Sequence, residues 1–223
     1  YFVFMMQQKE VIRAFVGSRL SLSGFDWGTI AFAMTPSLLL AIGAGLTIPF
    51  INLFFFKVFK MESDNFALLN SFSSITVAGA ALLVPHVRAK YGYKIAITRT
   101  QSIAVISLAL LACTEFYATF EYSLYFAIFF FLIRQPLMNM AAPVSSELVM
   151  QYVGPKNQEI ISALTASIWS GSWFFSALIF SVLRKNGFAY ANVFLITAGI
   201  YAIAVLRYHF LIKAHLAKEQ IKN

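Results

Sequence analysis

EYSLYFAIFFFLIRQPLMNMAAPVSSELVM, Glu121 to Met150, is long enough and apolar enough to cross a bilayer, yet it carries an arginine in its interior. Arg134 lies about ten residues inside the apolar run. At a rise of ~1.5 Å per residue that is roughly 15 Å along a helix, near the middle of a ~30 Å hydrocarbon layer. A guanidinium there costs about 3 kcal/mol on insertion scales, so it normally faces a partner or a water-filled cavity and marks a substrate or ion path. Gln135 and Asn139 add polar groups at the same depth, and Pro136 and Pro143 weaken the helix, since neighbours or water must satisfy the freed carbonyls. The plainer alternative is that Arg134 pairs with a carboxylate or with backbone carbonyls and locks a bundle.

The rest of the chain fits this environment. Of 223 residues, 60% are hydrophobic and only 12% charged, and the mean hydropathy is +0.74. Those values lie outside the range of ordinary soluble domains and define an all-α polytopic membrane protein. The net charge of +8 is carried by 17 basic residues scattered between apolar spans. Without a basic block or an aromatic–basic stripe they describe membrane orientation, not nucleic-acid binding. The single cysteine, Cys113, excludes an intrachain disulfide and a cysteine-rich metal site. No glycine–lysine phosphate loop is present, and no cofactor or metal is expected.

In order, Tyr1 to Met6 is too short for a signal-peptide core or a span, and reads as the tail of an earlier span or as a membrane-surface segment. Residues 1–26 form a linker with a short amphipathic helix around Val11, Ile12, Phe15 and Val16. Six spans then fill 27–212. The first, Trp27 to Phe56, is uncharged and contains Gly43, Gly45 and Pro49, which allow close approach or a bend. The second, Phe66 to Val87, is rich in Ser, Thr, Ala and Gly and is expected to pack tightly inside the bundle. A basic turn precedes the third, Ile95 to about Thr114, and the Arg134 helix is the fourth. The fifth, Ile160 to Leu183, carries SIWSGSWFFSA, where Gly171 favours close helix contact and Trp169 and Trp173 fill the core or line a cavity. The sixth, Ala189 to about Leu206, leads into a basic amphipathic tail over 213–223. His209 and His215 near its start read as solvated headgroup-level residues.

Six spans put both termini on one side, so the loops form two sets. Lys9, Arg13, Arg19, Arg88, Lys90, Lys94, Arg99, Lys156, Arg207, Lys213, Lys218 and Lys222 fall on the side of the termini, against Lys57, Lys60, Arg184 and Lys185 on the other. The excess of lysine and arginine makes the termini cytoplasmic.

Three stretches resemble the C-terminal half of a major facilitator superfamily transporter: LLLAIGAGLTIPFINLFFF (Leu38–Phe56), GAALLVPHVRAKYGYK (Gly79–Lys94), and Arg134 to Leu164 with RQPLMNMAAP, VGPKNQE and ISAL. Together they extend the likeness over nearly the whole of 27–212. The second is similar to the degraded second copy of the family's cytoplasmic signature. Lys90, Gly92 and Lys94 match its basic, glycine and final basic positions, while Pro85 replaces the leading glycine, Ala89 the acid and Tyr93 a basic residue. The resemblance implies that Gly79, Pro85, Arg88, Lys90, Gly92 and Lys94 hold helices together on the cytoplasmic side through charges that rearrange. Without the acid, a charge relay there is in question, and the bases alternatively only enforce cytoplasmic placement. It also implies a bacterial inner-membrane protein, substrate bound near the midplane between two six-helix halves, and proton-coupled efflux of a small amphipathic or anionic solute. The partners implied are the solute, the lipid bilayer and an N-terminal six-helix half, or a second chain. Arg134, Gln135 and Asn139, with Asn52 and Ser74 on other helices, are the candidate substrate contacts. Glu115, Glu121, Glu147 and Glu159 all lie near span ends, and none is assigned as a proton carrier.

Two other readings stay open. A non-transporting six-helix subunit would use its small-residue faces to dimerise. An intramembrane serine hydrolase is suggested superficially by Ser172 after Gly171 and by His209, but SGSW lacks the leading glycine and His209 sits in a basic interfacial segment.

Overall fold

A computed structural model describes residues 25–222, so the expected amphipathic segment before Gly24 lies outside the described residues. All regular structure among them is helical. Asp26 caps α1 (Trp27–Thr47), its carboxylate accepting from the Thr29 amide at 3.1 Å and the Thr29 hydroxyl at 2.6 Å. Pro49 tightens Ile48–Phe50 into a 3₁₀ turn and separates α1 from α2 (Ile51–Phe59), so the expected span stays one stretch, Trp27–Phe59, but is two helices and not one. Lys60, in the left-handed region at φ 58°, ends α2. Then come α3 (Ser63–Tyr93), a π-helical turn over Lys94–Arg99, and α4 (Thr100–Cys113) with a 3₁₀ turn at Thr114–Tyr117. The Arg134 helix is α5 (Ser123–Val153), continuous through Pro136 and Pro143. Gly154, at φ 77°, leads to a 3₁₀ turn and α6 (Gln158–Lys185). Gly187, at φ 81°, precedes α7 (Tyr190–Lys222), in which the expected sixth span and basic tail are one helix.

Five stretches are long and apolar enough to cross a membrane. Leucine, isoleucine and phenylalanine side chains point outward along them, as in an integral membrane protein. The second stretch, Ser63–Tyr117, has 55 residues, about 80 Å if straight, far more than a ~30 Å layer needs. It is not straight. Gly92 has φ 67° and ψ −176°, a conformation essentially reserved for glycine, and breaks it there.

Two clusters of buried side chains show what the break does. Leu46, Phe55, Phe66, Leu111, Phe131, Phe180 and Phe194 meet at one end of the bundle. Met34, Val84, Ile97, Leu148, Ile161 and Leu211 meet at the other. Every long helix runs from one cluster to the other, and α3 and α4 run in opposite directions on either side of Gly92. The basic residues 88, 90, 94 and 156 lie close in sequence to members of the second cluster, and 57, 60, 184 and 185 to members of the first.

The packing has an internal symmetry. Helix α1 lies against α6 and α7; α5 lies against α3 and α4; α4 and α7 lie against each other. Two helices thus lie against α1 and two against α5, with α4 and α7 joining the two groups.

One expectation about the interior is overturned. The small, hydroxylated α3 is the barest of the long helices, with Ser71, Ser74 and Gly79 exposed, and α6 is nearly as bare. The Ser71 and Ser74 hydroxyls return to the carbonyls of Ala67 and Asn70, at 2.8 and 2.9 Å, and so need no neighbouring helix.

Candidate functional site

A cavity of about 520 Å³ opens between α1, α5, α6 and α7, with Gln101 of α4 in its wall. Its volume is within the range of small-molecule sites. Arg134 projects into it from α5, about 17 Å along a helix roughly 46 Å long, and is 2% exposed. Gln135 and Asn139 line the same cavity. One Nη of Arg134 donates to Gln135 Oε1 at 2.6 Å, and Asn139 Nδ2 donates to the Gln135 carbonyl at 2.8 Å. Arg134 Nε has no hydrogen-bond partner, and no carboxylate pairs with the guanidinium among the described residues. The carboxylate arm of the plainer reading is therefore not seen among the described residues.

The position of Arg134 depends on a glycine two helices away. Tyr201 of α7 lies beside the guanidinium, its ring pressed so close to α1 that a Cβ at Gly43 would stand 2.5 Å from Cε1. Gly45 does the same for α6: its missing Cβ would fall 2.7 Å from Ser176 Cβ, and Ser176 Oγ donates to the Ile42 carbonyl at 2.9 Å. These two glycines bring α6 and α7 against α1 and so shape two walls of the cavity. Gly171 has no comparable role, since nothing lies within 4 Å of where its Cβ would be. Ser172, adjacent to it, packs against Gly45.

Several groups that sequence reasoning passed over complete the site. Gln101 and Ser145 are buried with Oε1 and Oγ unpartnered, and Tyr208 and Ser37 share a hydrogen bond of 3.2 Å in the cavity wall. They come from four helices, and no local pattern links them. Trp169 lines the cavity and Trp173 is exposed, so neither fills the core. Asn52 and Ser74, expected at the same site, are not there; both are exposed and absent from the cavity lining. Asn52 falls beyond the Pro49 break, and α3, which carries Ser74, lies on the far side of α5 from α6.

At the bundle end next to Gly92 a second polar cluster forms. Arg88 Nη2 donates to Glu147 Oε1 at 3.2 Å, and Gln151 Nε2 donates to the same oxygen at 3.0 Å. The Tyr93 hydroxyl lies 2.8 Å from both Glu147 Oε1 and Gln151 Oε1, and the Arg88 guanidinium stacks 3.7 Å above the Tyr93 ring. Glu147 of α5 thus supplies an acid to Arg88, whose chain neighbour is Ala89. Of the other signature positions, Gly92 makes the reversal, Lys90 lies over Tyr91 at 5.4 Å, and Gly79, Pro85 and Lys94 are exposed. His215 corrects a further expectation: it is 4% exposed and meets the Tyr93 ring edge-on at 5.6 Å. No group of three or more potential metal-ligating side chains occurs among the described residues.

The fold and site define a polytopic helical membrane protein with a cavity lined, among the described residues, by one buried arginine. Comparison with family models, with curated proteins and with solved structures yields no match.

Proposed function

We propose that this chain is the C-terminal six-helix half of a major facilitator type secondary transporter, moving a small amphipathic or anionic solute by alternating access, with proton-coupled efflux as the activity. The observation that carries the proposal is Arg134, a buried guanidinium with no carboxylate partner, facing a cavity near mid-depth. A charge so placed is costly for a purely structural element and useful where a solute must be attracted. The matched pairing of α1 with α6 and α7, and of α5 with α3 and α4, supports the proposal, because it is the pattern expected of an inverted repeat, and such repeats enclose midplane sites in carriers. So do the bare faces of α3 and α6, which suit an N-terminal six-helix half across the cavity. Both termini are cytoplasmic in this reading, the six passes cross an inner membrane, and the Arg88–Glu147 cluster holds α3 to α5 on the cytoplasmic side.

The test is flux in everted membrane vesicles containing the intact gene product, with and without a pH gradient. Gradient-dependent accumulation that falls at least tenfold in Arg134→Ala supports the proposal, whereas equal flux in both proteins ends it. The bare faces of α3 and α6 equally suit a second copy of this chain. A stable homodimer, formed by a gene product with no upstream spans, would favour the dimerising subunit instead.

A further inference from the structure

We infer that the cavity selects an amphipathic monoanion, with a single carboxylate-like group on an apolar body, and rejects cations of the same shape. The inference deepens the transporter reading and rests on it for the solute's passage, but its chemistry comes from the cavity wall. Arg134 is the one charged side chain among the described residues that line the cavity. A cation would meet uncompensated repulsion in a low-dielectric site, and a second negative charge on the solute would find no second cation. A monoanion alone matches the wall charge for charge.

The open guanidinium nitrogen points the same way. Arg134 Nε, on a side chain 2% exposed, is a charged N–H donor without a partner. The open Gln101 Oε1 is an acceptor and adds nothing for an anion. Charge-assisted hydrogen bonds from a guanidinium to a carboxylate are about twice as strong as neutral ones, so an acid gains there what its amide does not. Leu40, Ile48, Met138, Ile161 and Trp169 give the wall an apolar, partly aromatic part. Because these groups surround one arginine and not a cluster, an amphipath fits better than a compact polyanion.

Three probes with one apolar body separate the possibilities: 4-phenylbutyrate, its neutral amide and 4-phenylbutylamine. Each is titrated calorimetrically into the full-length protein in nanodiscs at neutral pH. The expected result is a Kd for the carboxylate at least tenfold below that of the amide, with no measurable binding of the amine. In Arg134→Gln the carboxylate should lose its advantage over the amide. Arg134→Lys, which keeps the charge, should recover part of it. Amine binding as tight as carboxylate binding overturns the inference in the wild-type protein, whatever the variants do, and so does the absence of binding by all three probes. A carboxylate preference that survives Arg134→Gln also overturns it. Parallel flux measurements separate this inference from the transporter reading. Carboxylate selectivity without flux ends the transporter reading and leaves the anion site, whereas Arg134-dependent flux of the amine ends the anion inference and leaves the transporter.

Discussion

At position 43 even a methyl group meets the Tyr201 ring, and that ring stands beside Arg134. Gly43→Ala should therefore lower stability by about 1–3 kcal/mol, the usual cost of overpacking a tight contact. Gly45→Ala meets Ser176 and the Ser172 carbonyl and should cost a similar amount. Gly171→Ala, with open space around it, should leave the unfolding midpoint unchanged or raised, because alanine is the better helix former by ~1 kcal/mol. Unfolding transitions of the three variants in mild detergent check this ordering, and equal losses at all three positions would contradict the contact geometry. Outside the apolar stretches, Asp26 provides a second residue-level test. Its pKa is lowered from the ordinary 3.8, first by the Thr29 hydroxyl hydrogen bond and then by the Thr29 amide. A depressed folded-state pKa means that the cap contributes above the ordinary aspartate value and is lost as pH falls through the lower folded value. The Thr29 amide resonance should titrate with a midpoint below 3.8; a midpoint at or above that value would show that the cap is not formed.

Among the elements, α3 and α4 depend most on a single backbone position. Gly92 holds φ 67° and ψ −176°, so Gly92→Ala should cost about 1–3 kcal/mol through backbone strain alone, although no side chain lies within 4 Å. A loss of that size in the unfolding free energy, with helix content unchanged by circular dichroism, is the expected outcome. The cluster beside the turn should behave differently. The Arg88 and Glu147 side chains are 30% and 41% exposed, so Glu147→Gln should cost less than about 1 kcal/mol. Much of this was legible in the sequence at the level of elements. Apolar length marked the passes, and Gly154 and Gly187 marked two of the reversals. The exposed polar face of α3 was read as buried because serine and alanine look alike whether they face a helix or a gap. Pairing a hydroxyl with its own helix costs nothing visible in the sequence.

For the whole molecule, the proposed sixfold passage between two ends predicts which positions share a side. In a Cys113→Ser background, single cysteines at Lys94 and Lys156 should be labelled by an impermeant thiol reagent from one side of the membrane, and one at Asn186 from the other. Labelling of the Lys94 and Lys156 positions from opposite sides would mean that Ser63–Tyr117 does not fold back across the membrane at Gly92. If both are reached from the cytoplasm, the excess of lysine and arginine has been read correctly as orientation.

By itself the sequence determined that this is a helical membrane protein and that Arg134 is a charge out of place. These are properties of composition and spacing along one helix at a time, to which hydrophobic burial and helix capping respond locally. Tertiary structure alone decided that Arg134 has no acid beside it among the described residues, that Gln101, Ser145 and Tyr208 join it while Asn52 and Ser74 do not, and that Glu147 answers Arg88. Those outcomes depend on which helix faces which. In this bundle that is set by close contacts such as Gly43 on Tyr201 and Gly45 on Ser176, between residues more than a hundred positions apart.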